Sequence, residues 1–391
     1  MSYLRYVSLL GAAVALASCT PQPPSGLTLN PNAIVIPDDQ VDSADANGMN
    51  VQVENLPTAG QVVISDEGEG LVRRITGVQQ TSVGEVAGQI VRKVYLQTAS
   101  ASLEDAISAG EANISMDNLP IGEDNLTQSL EGVSVQNFTG RINLTNVTFA
   151  IPGVPNGRIT LNGFVEQNLK PTFNLKFSSG SVETFRAGLN GTLKATVRAS
   201  ISASAGYSPF NLSRDLASWN IKRVFTVGAV PVVVVLQPKL VAAVSSGANG
   251  QVTVEVGIAP TFTTNMQLDY SRARPANARW QNTFSASFAL NPTFTYAAPV
   301  QGTGNASTGL VMDVKFYGLL GPSLEAKPFI NLNLNGNNGS AGLKSGIQGN
   351  SKVEAGFNVL GKGLETSYAG PSVEEARNFT CAASTDSCTA N

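Results

Sequence analysis

Apolar and polar residues alternate along much of the chain, most regularly from Leu193 to Ala203, where every second residue is apolar. A period of two is typical of a strand with one buried face, and eleven such residues extend over about 36 Å. The pattern predicts that Val197 and Ile201 lie in a core and that Arg198 faces solvent. Shorter runs repeat the alternation at residues 173–177, 252–258, 284–290, 330–334 and 353–359.

Turn signals separate these runs. Clusters rich in Gly and Asn at residues 247–250 and 335–339 are typical of hairpin connections. The alternation slips by one residue between Leu144 and Val147, which predicts a β-bulge. The apolar run Ala229–Leu236 is the longest after Ser18 and indicates a strand buried on both faces.

These elements predict an all-β protein, either an antiparallel β-sandwich or a large curved sheet with long strands and one or two short helices. The helical signal is Ser102-Leu103-Glu104-Asp105, a capped start that we expect to end at Gly110.

Composition restricts the chemistry. Charged residues are 14% of the chain, against about 25% in typical domains, and Asn, Thr, Ser and Gly supply the polarity instead. A net charge of −3 gives no basic patch for nucleic acid. The chain has no His, which excludes Ser-His-Asp and Cys-His catalysis. No phosphate- or dinucleotide-binding motif is present. We therefore expect no enzyme and no cofactor, although scattered Glu and Asp leave carboxylate-pair chemistry open.

The N-terminus has the pattern of an export signal. Arg5 precedes a short apolar stretch, too short to span a bilayer, and Leu16-Ala17-Ser18-Cys19 follows it. This ending resembles the lipobox of bacterial lipoproteins; the alternative is an ordinary cleaved signal peptide with an incidental Cys. The resemblance implies that Cys19 carries acyl chains such as palmitate, and two or more chains anchor a protein stably.

The residue after the cysteine bears on location. In the lipoproteins that the segment resembles, Asp at this place tends to retain the protein in the inner membrane, whereas this chain has Thr20. We therefore expect an outer-membrane lipoprotein of the cell envelope, facing the periplasm or the cell surface.

Only two cysteines remain once Cys19 is lipidated, Cys381 and Cys388. In an oxidising envelope we expect them to form a disulfide that closes a short terminal loop. The alternative, a pair of zinc ligands, lacks further Cys or His partners.

A polar segment partly matches a calcium loop. Asp45, Asn47 and Glu54 occupy its third, fifth and twelfth positions, but Ser43 stands where Asp is usual. The simpler interpretation is a polar turn between strands, and we predict no metal site here.

The segments divide the chain into five parts. We expect a signal peptide at 1–18, a lipidated Cys with a Pro-rich tether at 19–32, a small β-rich domain at 33–118, a large antiparallel β domain at 119–370, and a C-terminal tail with the disulfide loop at 371–391.

Several segments resemble secreted, surface-bound β-rich proteins of bacteria and fungi: residues 60–65, 71–75, 97–106, 227–233 and 317–322. These segments are spread over much of the mature chain, from residue 60 to residue 322. That group has no established activity, so the resemblance implies export and a β fold without supplying a site.

The sequence thus indicates a lipid-anchored envelope protein with a structural or adhesive role. It would bind an envelope polymer, a glycan or a protein partner through sheet faces or loops. The alternative is a carrier of lipid or glycan held between β-sheets. A carrier would enclose a continuous cavity, whereas a structural protein would have a filled interior.

Overall fold

The computed structural model describes residues 26–86, 89–136, 140–154, 156–202, 210–246, 253–258, 261–289, 293–297, 302–335, 340–353, 368–370, 372–382 and 387–390. These residues form an all-β protein, as the alternation predicts. Its strands make up three curled sheets. The helical elements are one turn of α-helix, α1 (Leu103–Ala106), and three 3-10 turns at Asp38–Gln40, Glu123–Asn125 and Ala276–Ala278.

The N-terminal sheet has six strands. They are β2 (Ala33–Val35), β3 (Val41–Ala44), β4 (Gly48–Val53), β5 (Val62–Ser65), β6 (Leu71–Val86) and β7 (Gln89–Ser100). Their order is β2-β5-β6-β7-β4-β3, and only the β2–β5 pair is parallel within this sheet.

The first large sheet has ten antiparallel strands. They are β1 (Gly26–Leu29), β8 (Ile107–Ser115), β10 (Val133–Gln136), β11 (Arg141–Ala150), β12 (Arg158–Ser178), β13 (Ser181–Ser202), β17 (Thr253–Ile258), β18 (Thr261–Ser271), β19 (Trp280–Ala289) and β20 (Thr293–Ala297). Strands β8 and β11 pair with different halves of β12, and β18 and β17 with different halves of β13.

The second large sheet also has ten strands. They are β9 (Leu126–Ser129), β14 (Phe210–Trp219), β15 (Ile221–Val227), β16 (Val230–Ser246), β21 (Gly302–Phe316), β22 (Leu319–Asn335), β23 (Ser340–Val353), β24 (Tyr368–Ala369), β25 (Val373–Ala382) and β26 (Ser387–Ala390). Its main order is β26-β25-β23-β22-β21-β16-β14-β9.

One hairpin organises the first large sheet. Strand β12 has 21 residues and β13 has 22, and they pair along their whole length, about 70 Å. Ser179 and Gly180 connect them, both with positive φ (51° and 70°), the conformation of a type I′ turn that suits strand twist. From Val165 to Phe177 every second residue is buried, so one face of the hairpin belongs to the core.

The core lies between the two large sheets and is filled by aromatic rings where the long hairpin meets β21. Phe316 of β21 makes edge-on contacts with Phe173 and Phe185, at centroid separations of 5.5 and 5.7 Å. Phe185 also contacts Trp280 at 6.2 Å. Edge-to-face rings at these distances add stabilisation beyond the area that they bury.

The N-terminal sheet packs against the second large sheet through the turn between β5 and β6. Lys315 Nζ lies 3.2 Å from Glu69 Oε2, and Lys222 Nζ donates to the backbone oxygen of Asp66 at 2.6 Å. Gly70 (φ +90°) lies so close to β16 of the second large sheet that a Cβ there would be 2.8 Å from the Val233 side chain. Only glycine fits this contact without displacing the sheet.

Several expectations are confirmed. The register of β11 against β12 shifts between Leu144 and Val147, which is the predicted bulge. The Ser102 backbone N–H donates to the Asp105 carboxylate at 2.9 Å, which is the cap. Residues 232–236 are all buried, as expected for a strand covered on both faces.

The strand predicted from Leu193 to Ala203 is the second half of β13. Leu193 and Ala195 are buried and Arg198 is exposed, as predicted. The side chains of Val197 and Ile201 lie outside the described residues. So do the turns at 247–250 and 336–339, most of the run 353–359, and residues 1–25.

Other boundaries differ from the predicted ones. Helix α1 ends at Ala106 rather than near Gly110, because Ile107 already begins β8, which pairs with β12. Residues 26–29 of the predicted tether form β1, whose Leu27 is buried. Strands β25 and β26, in the predicted tail, extend the second large sheet, because Phe379 packs against its core.

We expect Phe185→Ala to lower the free energy of unfolding by about 3–5 kcal/mol, because it leaves a cavity where three rings meet. Chemical denaturation of the full chain measures this. Lys170→Gln on the exposed face of β12 is the control and should change stability by no more than about 0.5 kcal/mol. A parent-like midpoint for Phe185→Ala would contradict the assigned core.

Candidate functional site

Cys19 and the rest of the predicted lipobox lie outside the described residues. Within the described part of the chain, no helix is long and apolar enough to cross a membrane.

The backbone places the two predicted disulfide partners opposite each other. Cys381 on β25 stands directly opposite Cys388 on β26 in an antiparallel hairpin. Directly opposed residues in such a pair have Cα atoms about 4.5 or 5.5 Å apart, within the roughly 4.4–6.8 Å that a disulfide spans. The register is thus compatible with the bond, which stays a prediction because the side chains are outside the described part.

The three calcium-loop positions do not come together. Asp45 Oδ1 accepts hydrogen bonds from the backbone N–H groups of Asn47 (2.7 Å) and Gly48 (3.0 Å), which closes the β3–β4 turn. Glu54 follows the far end of β4, about 20 Å along the chain direction from Gly48. Asp45 and Asn47 therefore form the polar turn, while Glu54 lies elsewhere. Among the described ranges no group of three or more His, Cys, Asp or Glu is placed to hold a metal ion.

A cleft of about 660 Å³ opens between the first large sheet and the segment that connects β8 to β9. Leu119 and Asn125 of that segment line one side, and Glu166 and Lys194 of the long hairpin line the other. Arg223 of β15 in the second large sheet reaches its rim.

A buried glutamine fixes the connecting segment to the sheet. Gln167 Nε2 donates to the backbone oxygen of Leu119 at 2.8 Å, and Gln167 Oε1 accepts from the backbone N–H of Leu169 at 2.9 Å. The backbone N–H of Leu119 also donates to the Leu169 oxygen at 2.7 Å. These bonds hold one wall of the cleft rigid, since buried polar groups are costly to leave unpaired.

A row of alternating charge crosses the sheet at the cleft, of which Glu166 and Lys194 line the cleft itself. Arg141, Glu166 and Lys194 stand in one row across β11, β12 and β13. The Arg141 guanidinium lies 3.7 Å above the centre of the Phe164 ring, a cation–π contact. Lys194 Nζ lies 5.6 Å from the same ring centre.

This arrangement suits a polar ligand with little net charge. Two cations (Lys194 and Arg223) and two carboxylates (Asp124 and Glu166) line the cleft together with neutral amides. Mixed signs provide hydrogen-bond donors and acceptors without the strong field that would select a highly charged partner.

The sequence pattern does not predict this cleft. Its walls come from three separate segments, and nothing in the chain pattern signals that Lys194 and Arg223 meet at one opening. The only available signal was Gln167, a polar residue at an apolar position of the β12 alternation.

No protein-family model matches the chain, and neither a curated protein nor a solved structure matches it.

We expect Cys381 and Cys388 to be disulfide-bonded in protein isolated from its envelope under non-reducing conditions. The C-terminal peptide should then be two hydrogens lighter by mass spectrometry than after reduction. The loss of stability in Cys381→Ser should be mild, because closing so short a loop contributes at most about 3 kcal/mol to the free energy of unfolding. Two thiols that alkylate freely without reduction would refute the bond.

Proposed function

We propose that this chain is a lipid-anchored protein of the cell envelope, held in the outer membrane through acylated Cys19, with a structural or adhesive binding role. Its ligand would be an envelope polymer, a glycan or a protein. The observation that supports the proposal from the fold is the interior of the part of the chain that the structure describes, which aromatic rings fill beneath polar outer surfaces.

Filling of the described interior favours binding on the outside. Aromatic contacts at 5.5–6.2 Å occupy the space where β12, β13, β19 and β21 meet. A carrier of lipid or glycan would need a continuous opening between these strands. The carrier alternative is therefore less favoured than recognition at clefts such as the one beside Lys194.

The anchor follows from the sequence. Leu16-Ala17-Ser18-Cys19 provides the acylation site, and the chain after it reaches β1 at Gly26 within seven residues. An extended segment of this length spans at most about 25 Å, which would hold the β fold near the membrane surface.

We expect Cys19→Ala to abolish incorporation of a fatty-acid probe and to release the protein from washed membranes. Two acyl chains anchor stably, whereas the variant has none. Metabolic labelling followed by membrane fractionation measures both effects.

Cys388→Ser is the matched control, since it removes a different cysteine and should leave labelling intact. Labelling of Cys19→Ala at the parent level would refute the lipoprotein proposal.

A further inference from the structure

A row of polar side chains crosses the outer face of the second large sheet. Strand register places one residue from each of six neighbouring strands side by side, from β14 through β16, β21, β22 and β23 to β25. We call this set the amide row: Asn211, Ser245, Asn305, Asn331, Lys344 and Asn378.

The amide row lies in a shallow, open trough. Two adjoining depressions, of about 500 and 230 Å³, share Asn305 and Asn331. Gly342 contributes no side chain to the floor, and the nearest atom to a Cβ there would be Asn333 Cβ at 3.9 Å. Six strands about 4.8 Å apart give the row a length of about 24 Å.

Asparagine is a poor choice for these positions if stability alone is considered. Asn is depleted in strands relative to Thr, Val and Tyr, because its side chain competes for backbone hydrogen bonds. Yet β22 places Asn331 and Asn333 at successive outward positions. Places where local preference conflicts with the fold are where functional sites are expected.

The amides of the row are largely unused by the protein itself. Asn305 Nδ2 donates to Ser245 Oγ at 3.1 Å. Within the described part of the chain, the side chains of Asn331 and Asn378 make no hydrogen bond. The one cation of the row, Lys344, is neutralised by an ion pair with Glu374.

We propose that this trough binds an extended, uncharged polysaccharide strand that lies across the strands of the sheet. Each Asn amide offers both donors and an acceptor, which matches sugar hydroxyls that also donate and accept. A sheet holds these groups in place, so little ordering is needed on binding. The inference rests on the proposed binding role and names its ligand class.

The central test measures binding and stability in one variant, Asn331→Thr. We expect binding of an uncharged β-linked oligosaccharide to weaken by about tenfold, the loss of one or two hydrogen bonds. The melting temperature should stay the same or rise, since Thr suits a strand better than Asn. Asn378→Thr should behave alike and provides a second site if the first variant fails to fold.

The matched control is Asn265→Thr, an exposed strand asparagine on the outer face of the first large sheet. It makes the same chemical change away from the trough and should leave affinity unchanged. Calorimetry would use the full chain in detergent with oligosaccharides of glucose and of N-acetylglucosamine. Affinity should increase with oligomer length and vary little with salt, because the ligand carries no charge.

The outcomes separate this inference from the proposed function. It is overturned if neither neutral series binds, if oligogalacturonate binds more tightly than both, or if Asn331→Thr binds like the parent. If the Cys19→Ala chain binds envelope polymer or protein from which the lipid has been extracted while no oligosaccharide binds, the binding role stands and the glycan assignment fails. Detergent removes the anchor from the measurement, so a failed lipidation test would not affect it.

Discussion

The register of the β12–β13 hairpin is the constraint on which the first large sheet depends. All 21 residues of β12 pair with β13, and every neighbouring strand attaches to one half of this hairpin. Since side chains alternate between faces, a slip by one residue would turn Phe173 and Leu175 to solvent and Lys176 to the core. The tight Ser179–Gly180 turn and the long alternation fix the same register, so local and global preferences agree.

The packing of the first large sheet against the second follows from the register of the β12–β13 hairpin. With the apolar face of the hairpin fixed, Phe173 and Phe185 meet Phe316, and the interior closes around these rings. The N-terminal sheet is then held by a contact at Gly70 that leaves no room for a side chain. With the described core filled in this way, the proposed binding would take place on the outer faces and in the clefts where segments from different sheets meet.

The sequence predicted what depends on neighbours along the chain. Alternation predicted the class and the faces of β13, a phase slip predicted the bulge after Leu144, and a cap motif predicted the start of α1. It could not predict the end of α1, because pairing of Ile107 with Leu29 of the distant β1 outweighs the helical preference of the residues beyond Ala106. It also could not predict that Gly26–Leu29 and the region of Phe379 would join the large sheets, since strand pairing between distant segments leaves no local signal.

The same limit explains why the sequence alone does not predict the cleft beside Lys194 or the amide row. The amide row joins Asn211 to Asn378, residues far apart in the chain, through five successive strand registers. Each asparagine alone is an ordinary polar residue at an outward position, and only their alignment makes a continuous hydrogen-bonding surface. The low charge content of the chain favours binding of a neutral ligand at this surface. Neutral amides on a rigid sheet can exchange water for sugar hydroxyls with a small desolvation cost, whereas charged side chains would retain their hydration more strongly.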